Sequence, residues 1–255
     1  MCDYSEKKEA AESAKKLRSE FVVEIKGIVK ERPEKLINPN IATGRIELEA
    51  EKITILNESR TLPFEITEDS KKVHEETRLK YRYLDLRTER MKKNIEMRAK
   101  IVKFMRDFYT EKGFLEIETP ILTKSTPEGA REFIVPSRLH PGKFYVLPQS
   151  PQQFKQLLMM AGIEKYFQIA KCFRDEDQRG DRQPEFTQFD VEMSFSNEKE
   201  ICGIYEECLI ELVKKYFSKK KITRVPFWEL SYEEAMEKYG TDKPDLRKDK
   251  KILMN

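Results

Sequence analysis

Histidine is nearly absent: His74 and His140 are the only two in a chain of 255 residues. A zinc centre or a His-based nucleophilic triad has almost nothing to be built from. Cysteine is scarce as well. The four residues Cys2, Cys172, Cys202 and Cys208 never stand as Cys-x-x-Cys, and among apolar neighbours such thiols read as small hydrophobes. The nine glycines form no Gly-x-x-x-x-Gly-Lys loop and no Gly-x-Gly-x-x-Gly turn, so a bound nucleotide must be held by side chains. No apolar run reaches the roughly 18 residues of a membrane-spanning helix. Met1-Cys2-Asp3-Tyr4-Ser5-Glu6-Lys7-Lys8 lacks the apolar core of a secretory signal, which makes a cytoplasmic chain the expectation. One-sided charge is missing too: 49 Lys+Arg against 46 Asp+Glu leave a net +3, although 37% of the residues are charged. A uniformly polybasic coat is thereby excluded, and any RNA contact must come from local patches.

What is present reads as an α+β chain of one domain and a half. Residues 6–18 read as a short charged helix, followed by strands at Phe21–Ile25, Arg45–Glu51 and Ile53–Leu56, with a loop from Pro33 to Gly44. Such a set buries too little apolar surface to stand alone and reads as part of a small β domain, residues 1–56. From 57 to 90 the apolar period fades, and Arg78, Lys80, Arg82, Arg87 and Arg90 interleave with Tyr81, Tyr83 and Leu84. This linker is either a solvated connector or an RNA-backbone contact.

The main body, 91–255, opens with a helix over 92–112, where Ile95, Ala99, Val102, Met105 and Tyr109 recur at helical spacing and Gly113 ends it. A strand from Phe114 runs into Pro120. Ser150-Pro151-Gln152-Gln153 reads as a capped helix start, with Ser150 as cap and Gly162 as stop. Gln152, Lys155 and Gln156 then share its polar face, as ordinary exposed residues or as a site. Asn197 with Glu200 and Ser231 with Glu234 are capping boxes for two later helices.

Between these helices lie two strands, 166–176 and 185–195, each alternating apolar and polar residues. One sheet face thus carries Arg174, Glu176, Gln188, Asp190 and Glu192, as a wet outer surface or as the floor of a binding site. Their connection, Asp177 to Pro184, is longer and more charged than a hairpin needs. Arg174 could grip a phosphate while acidic neighbours meet a metal or a base amine, and Phe186 could stack on a purine or pack in the core.

Phe173-Arg174-Asp175-Glu176-Asp177, the loop, and Arg182-Gln183-Pro184-Glu185-Phe186-Thr187-Gln188 through Glu192 resemble motif 2 of the class II aminoacyl-tRNA synthetases. The helix 92–112 followed by Thr119-Pro120 resembles motif 1. Ser125-Thr126-Pro127-Glu128-Gly129-Ala130-Arg131 with Gln149-Ser150-Pro151-Gln152-Gln153-Phe154-Lys155-Gln156 is similar to the bacterial-type aspartyl-tRNA synthetases, over about residue 15 to the end. The resemblance implies an antiparallel-sheet catalytic domain behind a partial anticodon-binding OB-fold, with motif 3 and the first OB strands not represented.

It also implies roles. Glu128 and Gln152 would hold the ammonium of L-aspartate. Lys155, steadied by Asp190, would meet its side-chain carboxylate. Arg174, the catalytic residue, would touch the amino-acid carboxylate and the ATP α-phosphate. Asp175, Glu176, Gln183 and Phe186 would serve ATP, and Arg179 and Arg182 the tRNA acceptor end. ATP with Mg²⁺, tRNA(Asp) with tRNA(Asn) as a further option, and a homodimer through motif 1 complete the expectation; no resident metal site is expected. The competing readings are a noncatalytic paralogue that dimerises or binds tRNA, and an OB-type RNA binder, which leaves more than half the chain unexplained.

Overall fold

The computed structural model describes residues 8–66, 70–126, 128–178, 180 and 182–246. The chain divides into two compact units, Met1–Lys93 and Asn94–Asn255.

In the first unit, helix α1 (Lys8–Lys16) precedes a two-stranded antiparallel ribbon, β1 (Val22–Glu31) and β2 (Ile46–Asn57). The pattern suggested a short first strand and two separate later ones. Instead β1 runs on through Gly27, and β2 is one strand interrupted by a bulge. Lys26 pairs with Lys52 and Gly27 with Ala50, so Glu51 is an extra residue. That residue explains the phase break in the alternation. Ile46, Leu48 and Ala50 pair with odd-numbered positions of β1, and so do Ile53 and Ile55, which places all five on one face. Gly27 is required where the strands approach: a Cβ there would lie 2.0 Å from the Glu49 carbonyl oxygen. Gly27→Ala is accordingly expected to destabilise this unit by about 3 kcal/mol or more through backbone displacement. Urea titration checks this, and an unchanged midpoint would contradict the close approach.

The stretch read as a basic linker contains two short helices, α2 (Glu75–Lys80) and α3 (Arg82–Asp85). Its cations are partly consumed internally. The Asp85 carboxylate is fully buried, with Arg82 at 2.6 Å and Arg78 at 3.8 Å, and Arg87 pairs with Glu20 at 2.7 Å. Arg78 and Arg82 thus serve the fold, because a buried carboxylate is tolerated only when paired. Tyr83 remains exposed.

The second unit takes most of α4 (Glu89–Glu111), then β3 (Leu115–Glu116), the hairpin β4 (Ile134–Pro136) and β5 (Phe144–Val146), α5 (Gln152–Met160), β6 (Lys165–Phe173), β7 (Glu185–Met193), α6 (Glu198–Tyr216) and α7 (Tyr232–Tyr239). The expected strand before Pro120 is only two residues long. It pairs in parallel with β6 at the edge of a sheet ordered β3-β6-β7, in which β6 and β7 are antiparallel. Phe167, Phe189, Val191 and Met193 project from one sheet face. They meet Phe104, Met105, Phe108 and Tyr109 of α4 and Ile204, Cys208, Leu212 and Tyr216 of α6. This aromatic-rich layer is the core. Tyr109 is fully buried, with ring centroids of Phe114 and Phe189 at 5.2 and 4.8 Å. Toward its N-terminus α4 departs from the expected packing: Ile95 and Ala99 are exposed.

The boxes at Asn197/Glu200 and Ser231/Glu234 form as read, and α7 stops at left-handed Gly240. The start of α5 does not: Pro151 is its N-cap and no side chain caps it. The Ser150 hydroxyl is used elsewhere.

Candidate functional site

Because side chains alternate across a strand, the apolar layer beneath β6 and β7 leaves the even-numbered residues for the opposite face. Cross-strand pairs Tyr166–Glu192, Gln168–Asp190, Ala170–Gln188 and Cys172–Phe186 therefore share that face. It is a platform rather than a wet surface. Tyr166 and Cys172 are fully buried and Gln168 nearly so, and α5 contributes a cation above it. The Lys155 ammonium lies 3.0 Å from Asp190 and 3.1 Å from Glu192. Burial works against its charge, but the bonds to the two carboxylates outweigh burial and hold its pKa above the ordinary lysine range. Of the three residues on the polar face of α5, Lys155 is thus drawn into the platform, while Gln152 and Gln156 stay exposed.

Beneath, the Tyr166 hydroxyl donates to Gln168 Oε1 at 2.6 Å and Thr119 donates to the same oxygen at 3.1 Å. Cys172 sits in the platform floor, its thiol pushed up to about 11, chiefly by burial. The Arg174 cation opposes that rise, and the Asp190 and Glu128 carboxylates add to it. Charges expected to act together therefore converge on one spot of the floor.

Where β6 ends, Arg174 Nε faces the Gln149 carbonyl at 3.4 Å, and the guanidinium lies 5.0 Å from the Phe186 ring centroid. Arg174, Glu176, Asp177, Gln178, Arg182, Gln183 and Phe186 line a cavity of about 450 Å³. Phe186 thus presents its ring to a cavity instead of the core. Asp175 does not line it; its N–H donates to the Arg131 carbonyl at 3.0 Å and its side chain is exposed. Arg179 lies outside the described residues.

Glu128 is brought to the start of α5, where Ser150 donates to its Oε2 at 2.6 Å and Thr126 to its Oε1 at 3.1 Å. Two residues in this loop escaped the sequence reading. Glu132 accepts from the Ser125 hydroxyl at 2.7 Å and the Thr126 N–H at 2.8 Å. Gln149 is buried, with its side-chain amide on the backbone of Ala130. Ser125 and Thr126, a hydroxyl pair seven and six residues before Glu132, are the local signal for its bonds.

The bonds to Ser125 and Thr126, aided by Gln149, lower the Glu132 carboxyl pKa against a smaller burial penalty. The stabilisation this gives is complete above the unfolded glutamate value of about 4.3 and is lost as pH falls through the lower folded value. An acid titration followed by the Thr126 amide resonance is expected to inflect below about 4.3; an inflection at or above that value would contradict the assignment.

Among the described residues no group of three or more His, Cys, Asp or Glu side chains could hold a metal, and no helix is long and apolar enough to cross a membrane.

The site is thus an antiparallel platform with an arginine at one end, a cavity of about 450 Å³ beside it and a lysine over its middle. The chain belongs to the family "tRNA synthetases class II (D, K and N)", whose model matches residues 74–255. It is 57% identical over 239 residues to an aspartate–tRNA(Asp/Asn) ligase of Aquifex aeolicus, covering 94% of this chain and 39% of that protein. To an aspartate–tRNA ligase of Staphylococcus saprophyticus it is 52% identical over 251 residues, covering 98% and 42%. A solved asparaginyl-tRNA synthetase of Pyrococcus horikoshii, complexed with asparaginyl-adenylate, is similar with a TM-score of 0.72 and 25% identity, over 91% of this chain and 55% of that one. The chain thus spans about 40% of the length of these ligases.

Proposed function

We propose that this chain is the part of an aspartate–tRNA ligase that binds L-aspartate and ATP and aligns them for formation of aspartyl-adenylate, which then passes to tRNA(Asp). The observation that carries the reading is the Lys155 ammonium held over a platform whose far end presents Arg174 beside a cavity. A second carboxylate on the amino acid needs a fixed cation, and Lys155 supplies one; Gln152 and Glu128 take the ammonium. The nucleophile, an α-carboxylate, is already ionised at neutral pH, so no general base is needed. Its oxygen bonds to the ATP α-phosphorus as the bond to pyrophosphate breaks. Arg174 neutralises the charge that grows on the phosphoryl oxygens, and alignment of the two anions supplies much of the rate. Phe186 stacks the adenine, while Glu176 and Gln183, which line the same cavity, hold the nucleotide. Mg²⁺ would accompany ATP and neutralise its phosphates.

In this reading residues 1–56 belong to the anticodon-binding OB-fold, 57–90 form the linker and 91–255 belong to the catalytic domain. Arg179 and Arg182 serve the tRNA acceptor end. The exposed Ile95 and an apolar groove along Met97, Ile101, Val102, Met105 and Phe189 suit the same face of a second copy, giving a homodimer through α4. The cytoplasm is the corresponding location. The test is ATP–pyrophosphate exchange by a polypeptide joining this chain to the remaining length of its relatives, followed by charging of tRNA(Asp) and tRNA(Asn) transcripts. Exchange that depends on L-aspartate and not on L-asparagine or L-lysine is expected. Equal exchange with all three would overturn the assignment, and charging of the second transcript decides whether tRNA(Asn) is a substrate.

A further inference from the structure

We propose that Gln149 is a positioning residue that holds the Glu128 loop and Arg174 in a fixed mutual geometry; the inference rests on the ligase reading for its catalytic consequence. Gln149 is only 2% exposed, and a buried carboxamide is unfavourable unless all its bonds are made. Here they are. Ala130 N–H donates to Oε1 at 3.0 Å while Nε2 donates to the Ala130 carbonyl at 3.1 Å, so the side chain replaces one rung of an antiparallel ladder. The same amide helps to keep the Glu132 carboxylate ionised.

The main chain around it completes the clasp. Gln149's own carbonyl faces Arg174 Nε at 3.4 Å, Ser150 grips Glu128, and the Pro148 carbonyl accepts the Phe173 N–H at 2.9 Å. Three consecutive residues thus tie the end of β6, the ammonium-binding carboxylate and the phosphate-binding arginine to one point. A methionine of similar volume would fill the space, so the amide there specifies geometry rather than packing.

Two variants test this. Gln149→Met removes both bonds to Ala130. In this chain the Ala130 amide is expected to lose about tenfold or more of its hydrogen-exchange protection. In the longer polypeptide the KM for L-aspartate is expected to rise about tenfold or more, well beyond any change for ATP. Gln149→Glu gives a signature that a purely structural role lacks. A neutral carboxylic acid still accepts once and donates once, whereas the ionised form cannot donate to the Ala130 carbonyl. The groups facing the new carboxyl are Glu132, Glu128 across Ser150, and Arg174. Burial and the two carboxylates raise its pKa, and Arg174 opposes them weakly from the main-chain side. Ionisation sets a carboxylate oxygen against the Ala130 carbonyl oxygen, two acceptors facing each other, and that repulsion opens the clasp; protection of Ala130 in Gln149→Glu is expected to be intact at acid pH and to fall as pH rises, while the wild type shows no such loss.

Were Gln149→Met to misfold, the Gln149→Glu series still decides, since one protein is compared with itself across pH. Wild-type protection and wild-type aspartate KM in Gln149→Met, or pH-independent protection in Gln149→Glu, would overturn the proposal. Absence of aspartate-dependent exchange in the unsubstituted polypeptide would instead remove the ligase reading, leaving the clasp to be judged on Ala130 protection alone.

Discussion

Replacing Arg174 by alanine is expected to lower aspartate-dependent ATP–pyrophosphate exchange by at least about a hundredfold, the usual scale for removing a group aimed at charge that develops in the transition state. Far-UV circular dichroism should stay native. The backbone of residue 174 keeps its place in the variant, because its N–H donates to the Pro184 carbonyl at 2.8 Å whatever the side chain. The guanidinium itself meets the Gln149 carbonyl and the face of Phe186, neither of which anchors the apolar layer on the other side of the sheet. Loss of activity without loss of fold is therefore the expected pair of results. Undiminished exchange would remove Arg174 from the chemistry.

Lys155→Ala is expected to act on both binding and stability. The aspartate KM should rise far more than the ATP KM, because in the proposed function Lys155 serves the side-chain carboxylate of the amino acid. Equal effects would refute that role. The same change leaves Asp190, whose side chain is 13% exposed, and Glu192 without their shared cation. Breaking a buried pair costs about 3–5 kcal/mol, taken here as an upper bound since Glu192 is partly solvated. pH provides a second readout. The Lys155 pKa is raised in the folded protein, so the stability from its pairing is fully present below the unfolded lysine value of about 10.4 and is lost as pH rises through the higher folded value. Wild type and Lys155→Ala should thus differ most in urea midpoint at neutral pH and converge in alkali. A constant gap would contradict the ion pairing.

The features legible in the sequence were those set by neighbours a few residues apart. Alternation along 166–173 and 185–193 sorts Phe167, Phe189 and Val191 from Gln168, Asp190 and Glu192, and the sheet keeps that division. Asn197/Glu200 and Ser231/Glu234 satisfy local orphan N–H groups and form as read. Ser150 carried the same local signal, but its hydroxyl is turned to donate to a carboxylate 22 residues earlier in the chain, and Pro151 stands at the N-cap instead. Gln149 was illegible for a related reason: its partner is the backbone of Ala130, and backbone groups leave no mark in a sequence. The phase break at Glu51 was visible but ambiguous. Two strands or one bulged strand produce the same alternation, and only the close approach at Gly27 separates them.

The most direct test of the central claim, that one platform seats the amino acid at Lys155 and the nucleotide at Arg174, is a titration of this chain with a non-hydrolysable sulfamoyl analogue of L-aspartyl-adenylate, followed by the side-chain nitrogen resonances of both residues. Both are expected to shift along a single binding curve. Movement of one without the other at saturation, or separate curves for the two, would show that no common pocket joins them.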